Sequence, residues 1–336
     1  MSSWWNKENG IVVSSRVRLA RNLSGIPFPS RMSNEQFEEL KQKAKSAVYD
    51  SNTPFAKTLN FIDMATVPQN EINAMVERHI ISPEFAKRGG SSAIILSADE
   101  SISIMIGEED HIRIQVILDG LKLEEAYDIA EQIDFLLDSR LHFAFDENLG
   151  FLTECPTNLG TGLRASLMLH LPACESSGEI ASLSETVNKI GFTVRGMYGE
   201  GSKSGASLYQ ISNQVTLGLS EKEIIDKVKN IVNQIAEHEK DARKKLLENN
   251  RVYLEDKLYR AYGTLKYARS VTSKEAKALI SDVMMGKNMG IINDVDENLL
   301  ELLIMTEPAG IEDIEKKQLS PEQRDIKRAQ IIRDRM

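Results

Sequence analysis

From Ser220 onward the sequence changes from short β-branched runs to long charged helical patterns. That change limits the chain to a mixed sheet-and-helix part followed by an all-helical part. Before it, SSAIILSADESISIMIGEEDHIRIQVIL holds three segments rich in β-branched residues, with alternation at Ile112, Ile114 and Val116. Adjacent antiparallel strands are expected there. KLEEAYDIAEQIDFLLDSRL places Ala126, Ile129, Ala130, Ile133, Leu136 and Leu137 at helical spacing, so one helix face should cover the sheet. LRASLMLHLP alternates Ala165, Leu167, Leu169 and Leu171, and GFTVRGMYGEG and ASLYQISNQ read as short strands around a glycine-rich loop. After Ser220, SEKEIIDKVKNIVNQIAEHEKDARKKLLENN and VYLEDKLYRAYGTLKYA read as helices, with no strand signal up to Met336. The expected fold class is α+β: an antiparallel sheet flanked by helices in residues 1–235, then an all-α domain in residues 236–336.

Near the start, GIVVSSRVRLARNL reads as a strand running into a charged loop, which Pro27 and Pro29 interrupt. From Ser33, SNEQFEELKQKAKSAVY has a capping residue, acids first and bases later, the order a helix dipole favours. The formal net charge of -9 provides no general attraction to nucleic acid or anionic lipid, so phosphate recognition must be local. Cys155 and Cys174 are too few for a disulfide framework and lack paired zinc-ligand spacing, which fits a reducing compartment. The N-terminus MSSWWNKENG has no signal-like apolar core, and no run is long enough to cross a bilayer. A cytoplasmic protein is expected.

The chemistry concentrates in arginines that lie where glycine, proline or acidic turns interrupt strands: Arg16, Arg18, Arg113, Arg164 and Arg195. Several guanidinium forks converging on one point would grip a triphosphate and neutralise charge as a phosphoryl group moves. The plain alternative is a set of unrelated strand-end salt bridges. Two acidic turns accompany them, GEEDH with Glu108, Glu109 and Asp110, and GEG with Glu200. A carboxylate beside a guanidinium would orient it and take its proton, although either turn alone also reads as a solvated acidic loop. The chain has no GxxxxGK[ST] loop and no protein-kinase HRD and DFG motifs, so any phosphate grip is of another kind.

SSRVRLARN at Ser14 to Asn22, GEEDHIRI at Gly107 to Ile114, CPTNLGTGLRAS at Cys155 to Ser166 and RGMYGEG at Arg195 to Gly201 closely resemble the ATP:guanido phosphotransferase family, which includes creatine and arginine kinases. The resemblance spans roughly residues 11 to 220. It implies that Arg16, Arg18, Arg113, Arg164 and Arg195 bind nucleotide phosphates and that Glu109 and Glu200 hold the acceptor guanidinium. It also implies an ATP site lined by Ser14, Ser15, Arg16, Val17 and Arg18, by Arg164, Ala165, Ser166, Leu167 and Met168, and by Arg195, Gly196, Met197, Tyr198, Gly199 and Glu200. His79 in VERHIISPEF matches the family's nucleotide-contacting histidine, although the residues alone make it a helical surface histidine beside acids. Cys155 matches the family's active-site cysteine, which need not be a nucleophile because phosphoryl passes directly from ATP to nitrogen. The implied cofactor is ATP with Mg²⁺ held mainly through phosphate oxygens and water, with no dedicated protein metal cage.

Two departures bear on the acceptor. Small-molecule phosphagen kinases carry a helical domain ahead of the SSRVR segment, which here starts at Ser14, and their asparagine before EEDH is Gly107. In place of that domain stands a C-terminal helical region ending in RDIKRA, with Arg324, Asp325, Arg328 and Ala329. Both features resemble the bacterial protein-arginine kinases, in which an open site admits a protein's arginine and an RDxxRA motif binds phosphoarginine as an allosteric ligand. That resemblance implies protein substrates marked for a Clp-type protease in a stress response. The implied partners are an activator protein, a heat-shock repressor and a Clp ATPase, with assembly to a homodimer or larger. Charge pattern alone makes the RDIKRA helix a solvated terminal helix with local ion pairs. Two readings compete with the kinase of proteins: a phosphagen kinase for a small guanidino compound, and a non-catalytic phosphoarginine-binding adaptor, which would be expected to have lost the paired acids or the arginines.

Overall fold

The computed structural model describes Trp5 and residues 10–197 and 205–336. Along the chain, β1 (Val12–Arg21) is followed by α1 (Asn34–Tyr49), α2 (Phe55–Thr58), β2 (Leu59–Asp63), α3 (Gln69–Glu77) and α4 (Pro83–Ala86). Then come β3 (Ala93–Ser97), β4 (Ile102–Ile106), β5 (Ile112–Asp119), α5 (Leu123–Leu141) and a small hairpin of β6 (Phe145–Asp146) and β7 (Gly150–Phe151). After these lie β8 (Leu163–His170), α6 (Pro172–Ser176), α7 (Ile180–Asn188), β9 (Phe192–Gly196) and β10 (Leu208–Asn213). The remainder is helical: α8 (Glu221–Tyr267), α9 (Ser273–Asn288), α10 (Leu299–Met305), α11 (Pro308–Glu315) and α12 (Pro321–Arg335). The long strands form one sheet in the order β2-β3-β4-β5-β1-β8-β10-β9, antiparallel at each pairing from β2 through β1. This is the expected sheet flanked by helices, with helices alone after Asn213 among the described residues.

The chain divides into two compact units. The first holds residues 14–166 and 212–229, and its architecture follows from what covers each sheet face. Ile94 and Leu96 of β3 and Met105 of β4 pack with Met64, which follows β2, and with Ile72, Met75, Ile80, Ile81 and Phe85 from the α3–α4 segment. Their strand neighbours Ile95, Ile104 and Ile114 point the other way and are equally buried, on the side of α1 and α5. A strand covered on both faces needs no polar alternation, which is why AIILS reads as a continuous apolar run. Helix α1 starts at a capping box in which Ser33 Oγ accepts the Gln36 N–H and Gln36 Oε1 accepts the Ser33 N–H, and it buries Phe37, Leu40, Ala44, Ala47 and Val48. In α5, Ala126, Ala130, Ile133, Leu136 and Leu137 are buried, the face foreseen from their spacing.

One expectation changes. Strand β1 continues through Arg16, Arg18 and Arg21, so no charged loop begins at the arginines; pairing with β5 from Ser14↔Asp119 to Arg21↔Ile112 holds them extended. The strand expected in LRASLMLHLP is β8, where Ser166, Met168 and His170 are buried together with Ala165, Leu167 and Leu169, so both of its faces are covered.

The second unit holds residues 5–13, 167–211 and 230–336. Helix α8 departs from helical backbone at Asn250 (φ -146°, ψ 48°), the break that LENN followed by VYLEDKL suggested. Thr272, Asn298 and Ser320 cap α9, α10 and α12 through their side-chain oxygens. No helix among the described residues is long and apolar enough to cross a membrane.

Candidate active site

The period of two in β1 sends Arg16 and Arg18 to one face and Ser15, Val17 and Leu19 to the other. Cross-strand register extends that face: Gln115 lies opposite Arg18, and Arg113 lies two residues along β5 from Gln115. Continuing across the sheet, Met105 lies opposite Arg113 and belongs to the apolar cluster under α3 and α4. A single sheet face therefore changes from apolar on β3 and β4 to cationic on β5 and β1, where the apolar cover ends.

Arg164 joins this group electrostatically. Burial, then repulsion from Arg164 and Arg113, lowers the Arg16 pKa to about 10. Arg18 is held well below the usual guanidinium range by burial and by Arg16, Arg113 and Arg164, with Glu108 opposing. The Nε atoms of Arg16 and Arg18 are buried without a hydrogen-bond partner, and neither residue forms an ion pair among the described residues. Guanidiniums collected at this density, with donors unspent, are suited to a multiply charged anion. Strand-end salt bridges would instead have supplied each arginine with its own carboxylate.

The acidic turn between β4 and β5 is not a solvated loop. Glu108 and Asp110 are 1% and 0% exposed. Glu108 forms a close ion pair with Arg113, accepts a short hydrogen bond from Ser82 Oγ, and its carbonyl accepts from Arg88 Nη2 at 2.6 Å. Asp110 accepts from Asn22 Nδ2 at 2.6 Å and from the Glu154 N–H at 2.8 Å, while burial raises its pKa. His111 Nδ1 accepts the Leu23 N–H at 2.9 Å, which leaves Nε2–H to donate to the Pro27 carbonyl at 2.7 Å. Burial lowers the His111 pKa, and both ring nitrogens are used structurally. Glu109 is the member left accessible: its side chain is 42% exposed, with Oε2 3.3 Å from Arg113 Nη2. Gly107 has φ +82°, and a Cβ there would lie 2.9 Å from the Ser91 carbonyl oxygen, so the turn requires glycine where the resembling enzymes have asparagine.

Cys155 is half-buried, with Sγ 3.0 Å from Thr157 Oγ1, and the Asp110–Glu154 bond ties its segment to the acidic turn. Arg164 Nε and Nη2 donate to Ser212 Oγ at 3.3 and 3.2 Å. Ser14 is buried on the arginine side of β1, whereas the Ser15 hydroxyl donates to the Gly120 carbonyl on the other side, and Val17 is core. Ala165 N–H donates to Asn213 Oδ1, and Ser166 Oγ lies 3.4 Å from the Arg16 carbonyl oxygen. His79 is not helical: it follows α3 with φ 59°, is buried, and its carbonyl accepts from Gln115 Nε2 at 2.9 Å beside Arg18.

The first unit thus brings together Arg16, Arg18, Arg113, Arg164, Glu108 and Glu109. Leu167, Met168, Arg195, Gly196 and Met197 belong to the second unit, with Arg195 in β9. Tyr198, Gly199 and Glu200 lie outside the described residues. Sequence reasoning missed Asn22, Ser82, Arg88 and Gln115, whose contacts join segments far apart in the chain and leave no local signal.

In α12 the solvated-helix reading fails. Arg328 is 1% exposed, donating from Nε to the Thr306 carbonyl at 2.7 Å and from Nη1 to the Val271 carbonyl at 2.9 Å and Asp325 Oδ1 at 2.5 Å. Ala329 is buried, and Arg324 Nη1 is 2.8 Å from both Glu312 Oε1 and the Leu319 carbonyl oxygen.

Residues 39–242 match the family described as ATP:guanido phosphotransferase, C-terminal catalytic domain, and residues 251–336 match the one described as protein-arginine kinase McsB C-terminal domain. The protein-arginine kinase of Halothermothrix orenii is 46% identical over 98% of this chain and 94% of its own length. That of Brevibacillus brevis is 46% identical over 100% of this chain and 95% of its own. Among solved structures, a lombricine kinase shares the fold with a TM-score of 0.60 at 20% identity, over 68% of this chain and 66% of that one. The duplicated taurocyamine kinase from Schistosoma mansoni with bound transition state analog components has a TM-score of 0.62 at 25% identity, over 82% of this chain and 40% of that one. With one family match covering more than half of its residues and relatives similar from end to end, the chain belongs to the ATP:guanido phosphotransferase family, on its protein-arginine kinase branch.

Proposed function

We propose that this chain transfers the γ-phosphoryl group of ATP to arginine side chains of proteins. The observation that carries the reading is the arginine face itself, a cluster of four guanidiniums in which Arg16 and Arg18 keep a buried Nε donor unspent, beside an accessible Glu109. Arg16, Arg18, Arg113 and Arg164, with Arg195, take the nucleotide phosphates, and His79 and the backbone of the Ser14 to Arg18 and Arg164 to Met168 segments line the nucleotide. A divalent cation accompanies the nucleotide, Mg²⁺ by its preference for phosphate oxygens and water.

Glu109 and Glu200 hold the acceptor guanidinium by charge-assisted hydrogen bonds and point one nitrogen at phosphorus. That nitrogen forms the N–P bond as the bond from phosphorus to the bridging oxygen of ADP breaks, and its proton passes to a carboxylate. The arginines neutralise the charge spread over the transferring group and the departing ADP. The Cys155 sulfur accepts a hydrogen bond from the guanidinium without forming a covalent intermediate.

The finer reading is that residues 236–336 form a regulatory helical domain, in which Arg324 and Asp325, with Arg328 and Ala329 behind them, bind phosphoarginine. In that reading the modified proteins pass to a Clp-type protease in the cytoplasm during stress, with an activator protein, a heat-shock repressor and a Clp ATPase as partners of a homodimer or larger assembly. The test of the activity is mass spectrometry of an unstructured, arginine-bearing protein incubated with chain and Mg-ATP under conditions that preserve acid-labile P–N bonds. Phosphoarginine on the protein is expected. ATP consumption with free arginine and none with protein would refute the reading in favour of a small guanidino acceptor.

A further inference from the structure

We propose that Cys174, Glu179 and His238 form a binding site for a thiophilic divalent transition-metal ion, with zinc the best fit. Their ligand atoms, a thiol sulfur, a carboxylate oxygen and an imidazole nitrogen, all lie within 4.8 Å of one another. The three come from separate segments of the second unit: Cys174 from α6, Glu179 from the residue preceding α7, and His238 from the middle of α8. His238 Nε2 is 2.7 Å from Glu179 Oε2, a hydrogen bond whose place the ion would take between the two side chains.

Zinc takes sulfur at about 2.3 Å and nitrogen or oxygen at about 2.0–2.2 Å in a tetrahedron, which sets donors roughly 3.3–3.8 Å apart. Closing from the present spacing needs only side-chain rotation, and the two residues that would rotate are the accessible ones, His238 at 51% and Glu179 at 43% exposed. Cys174 is fully buried and provides the fixed wall. The open side gives the ion a path in and leaves a fourth position for water. A thiolate and a carboxylate together cancel the charge of a divalent ion, so the occupied site is neutral overall once the thiol proton has been released. Magnesium and calcium are disfavoured, because they seek several oxygens and this set offers one carboxylate.

The backing around Cys174 is that of a held ligand. Glu239, wholly buried, accepts the N–H groups of Ala173 at 3.1 Å and Cys174 at 2.9 Å and pairs with Arg243 Nε at 2.7 Å; it also accepts from the Cys174 thiol, and burial together with this bond pushes that thiol's pKa up, so a bound ion has to displace its proton. These bonds fix the cysteine backbone from behind, the part that outer-sphere partners play at metal sites. An ion here would tie the α6–α7 connection to α8. Neither the ATP:guanido resemblance nor the proposed kinase reaction uses any of the three residues.

The test uses the full chain stripped by chelator and titrated with Co²⁺, followed by displacement with Zn²⁺. A sulfur-to-cobalt charge-transfer band in the near ultraviolet, saturating at one equivalent and bleached by Zn²⁺, is expected. C155S should retain the band, and C174S should lose it. His238→Ala and Glu179→Gln, both at accessible side chains and therefore expected to fold, should each weaken Co²⁺ binding about tenfold or more. No band in the parent chain, a band that persists in C174S, or unchanged affinity in both His238→Ala and Glu179→Gln would overturn the proposal. If C174S does not fold, the latter two variants decide it.

Discussion

Replacing Arg16 by glutamine should make the nucleotide-free protein more stable and the nucleotide-bound protein weaker in its grip, two effects of opposite sign from one residue. The charged form of Arg16 is disfavoured in the fold, since burial and the fields of Arg164 and Arg113 lower its pKa from the ordinary guanidinium range to about 10. That displacement corresponds to roughly 3 kcal/mol at neutral pH. Glutamine removes the charge but keeps part of the side chain's length. Lost packing of the aliphatic stem and screening at a half-buried site reduce the net gain to about 1 kcal/mol, or roughly 2–4 °C in thermal midpoint for a unit of this size. The sign with pH follows from proton counts. From about pH 10 up to the ordinary guanidinium range the unfolded chain binds more protons at Arg16 than the native chain does, so parent stability climbs with pH across that window, and Arg16→Gln loses this contribution to the rise.

Binding should move the other way. An arginine-phosphate hydrogen bond between charged groups contributes about 1.5–3 kcal/mol, so the Mg-ATP dissociation constant should rise roughly 10- to 100-fold. Differential scanning fluorimetry with and without Mg-ATP, joined to isothermal titration, reads both quantities. A variant that is less stable without nucleotide and binds it unchanged would refute the view that Arg16 is an uncompensated cation awaiting an anion.

Glu200→Ala should abolish phosphoryl transfer while nucleotide affinity stays nearly intact; full turnover in a phosphoarginine assay would remove Glu200 from the guanidinium clamp. Arg195→Lys exchanges a planar fork for a point charge, so both Mg-ATP binding and turnover should fall, and a change confined to protein-substrate affinity would exclude it from the phosphate grip. Excess chelator should stop the reaction, as measured by ADP release, and undiminished turnover would require another means of charge neutralisation. Arg324→Ala combined with Asp325→Ala should weaken binding of free phosphoarginine and remove any activation by it, with Mg-ATP affinity retained. Binding equal to the parent's would leave the Arg324–Glu312 and Asp325–Arg328 contacts as purely structural.

Local sequence determined much of this protein because several of its signals are short-range. Capping at Ser33, alternation at Ile112, Ile114 and Val116, and the helical spacing from Ala126 to Leu137 each depend on neighbours a few residues away, and each element formed where its pattern lies. The motif arginines and acids were legible as residue types for the same reason. Tertiary structure alone decided what those residues face. Pairing of β1 with β5 drew Arg16 and Arg18 into the sheet, a consequence of register between segments about a hundred positions apart. The same packing divided GEEDH into buried Glu108 and Asp110 and accessible Glu109, because Ser82, Arg88, Asn22 and Glu154 reach the turn from distant parts of the chain. In RDIKRA, burial of Arg328 against the Val271 and Thr306 carbonyls turned a helix that reads as solvated into a packed one. A sequence states which charges a chain carries, but burial and cross-strand neighbours fix their effective strength, and both arise only when the chain closes on itself.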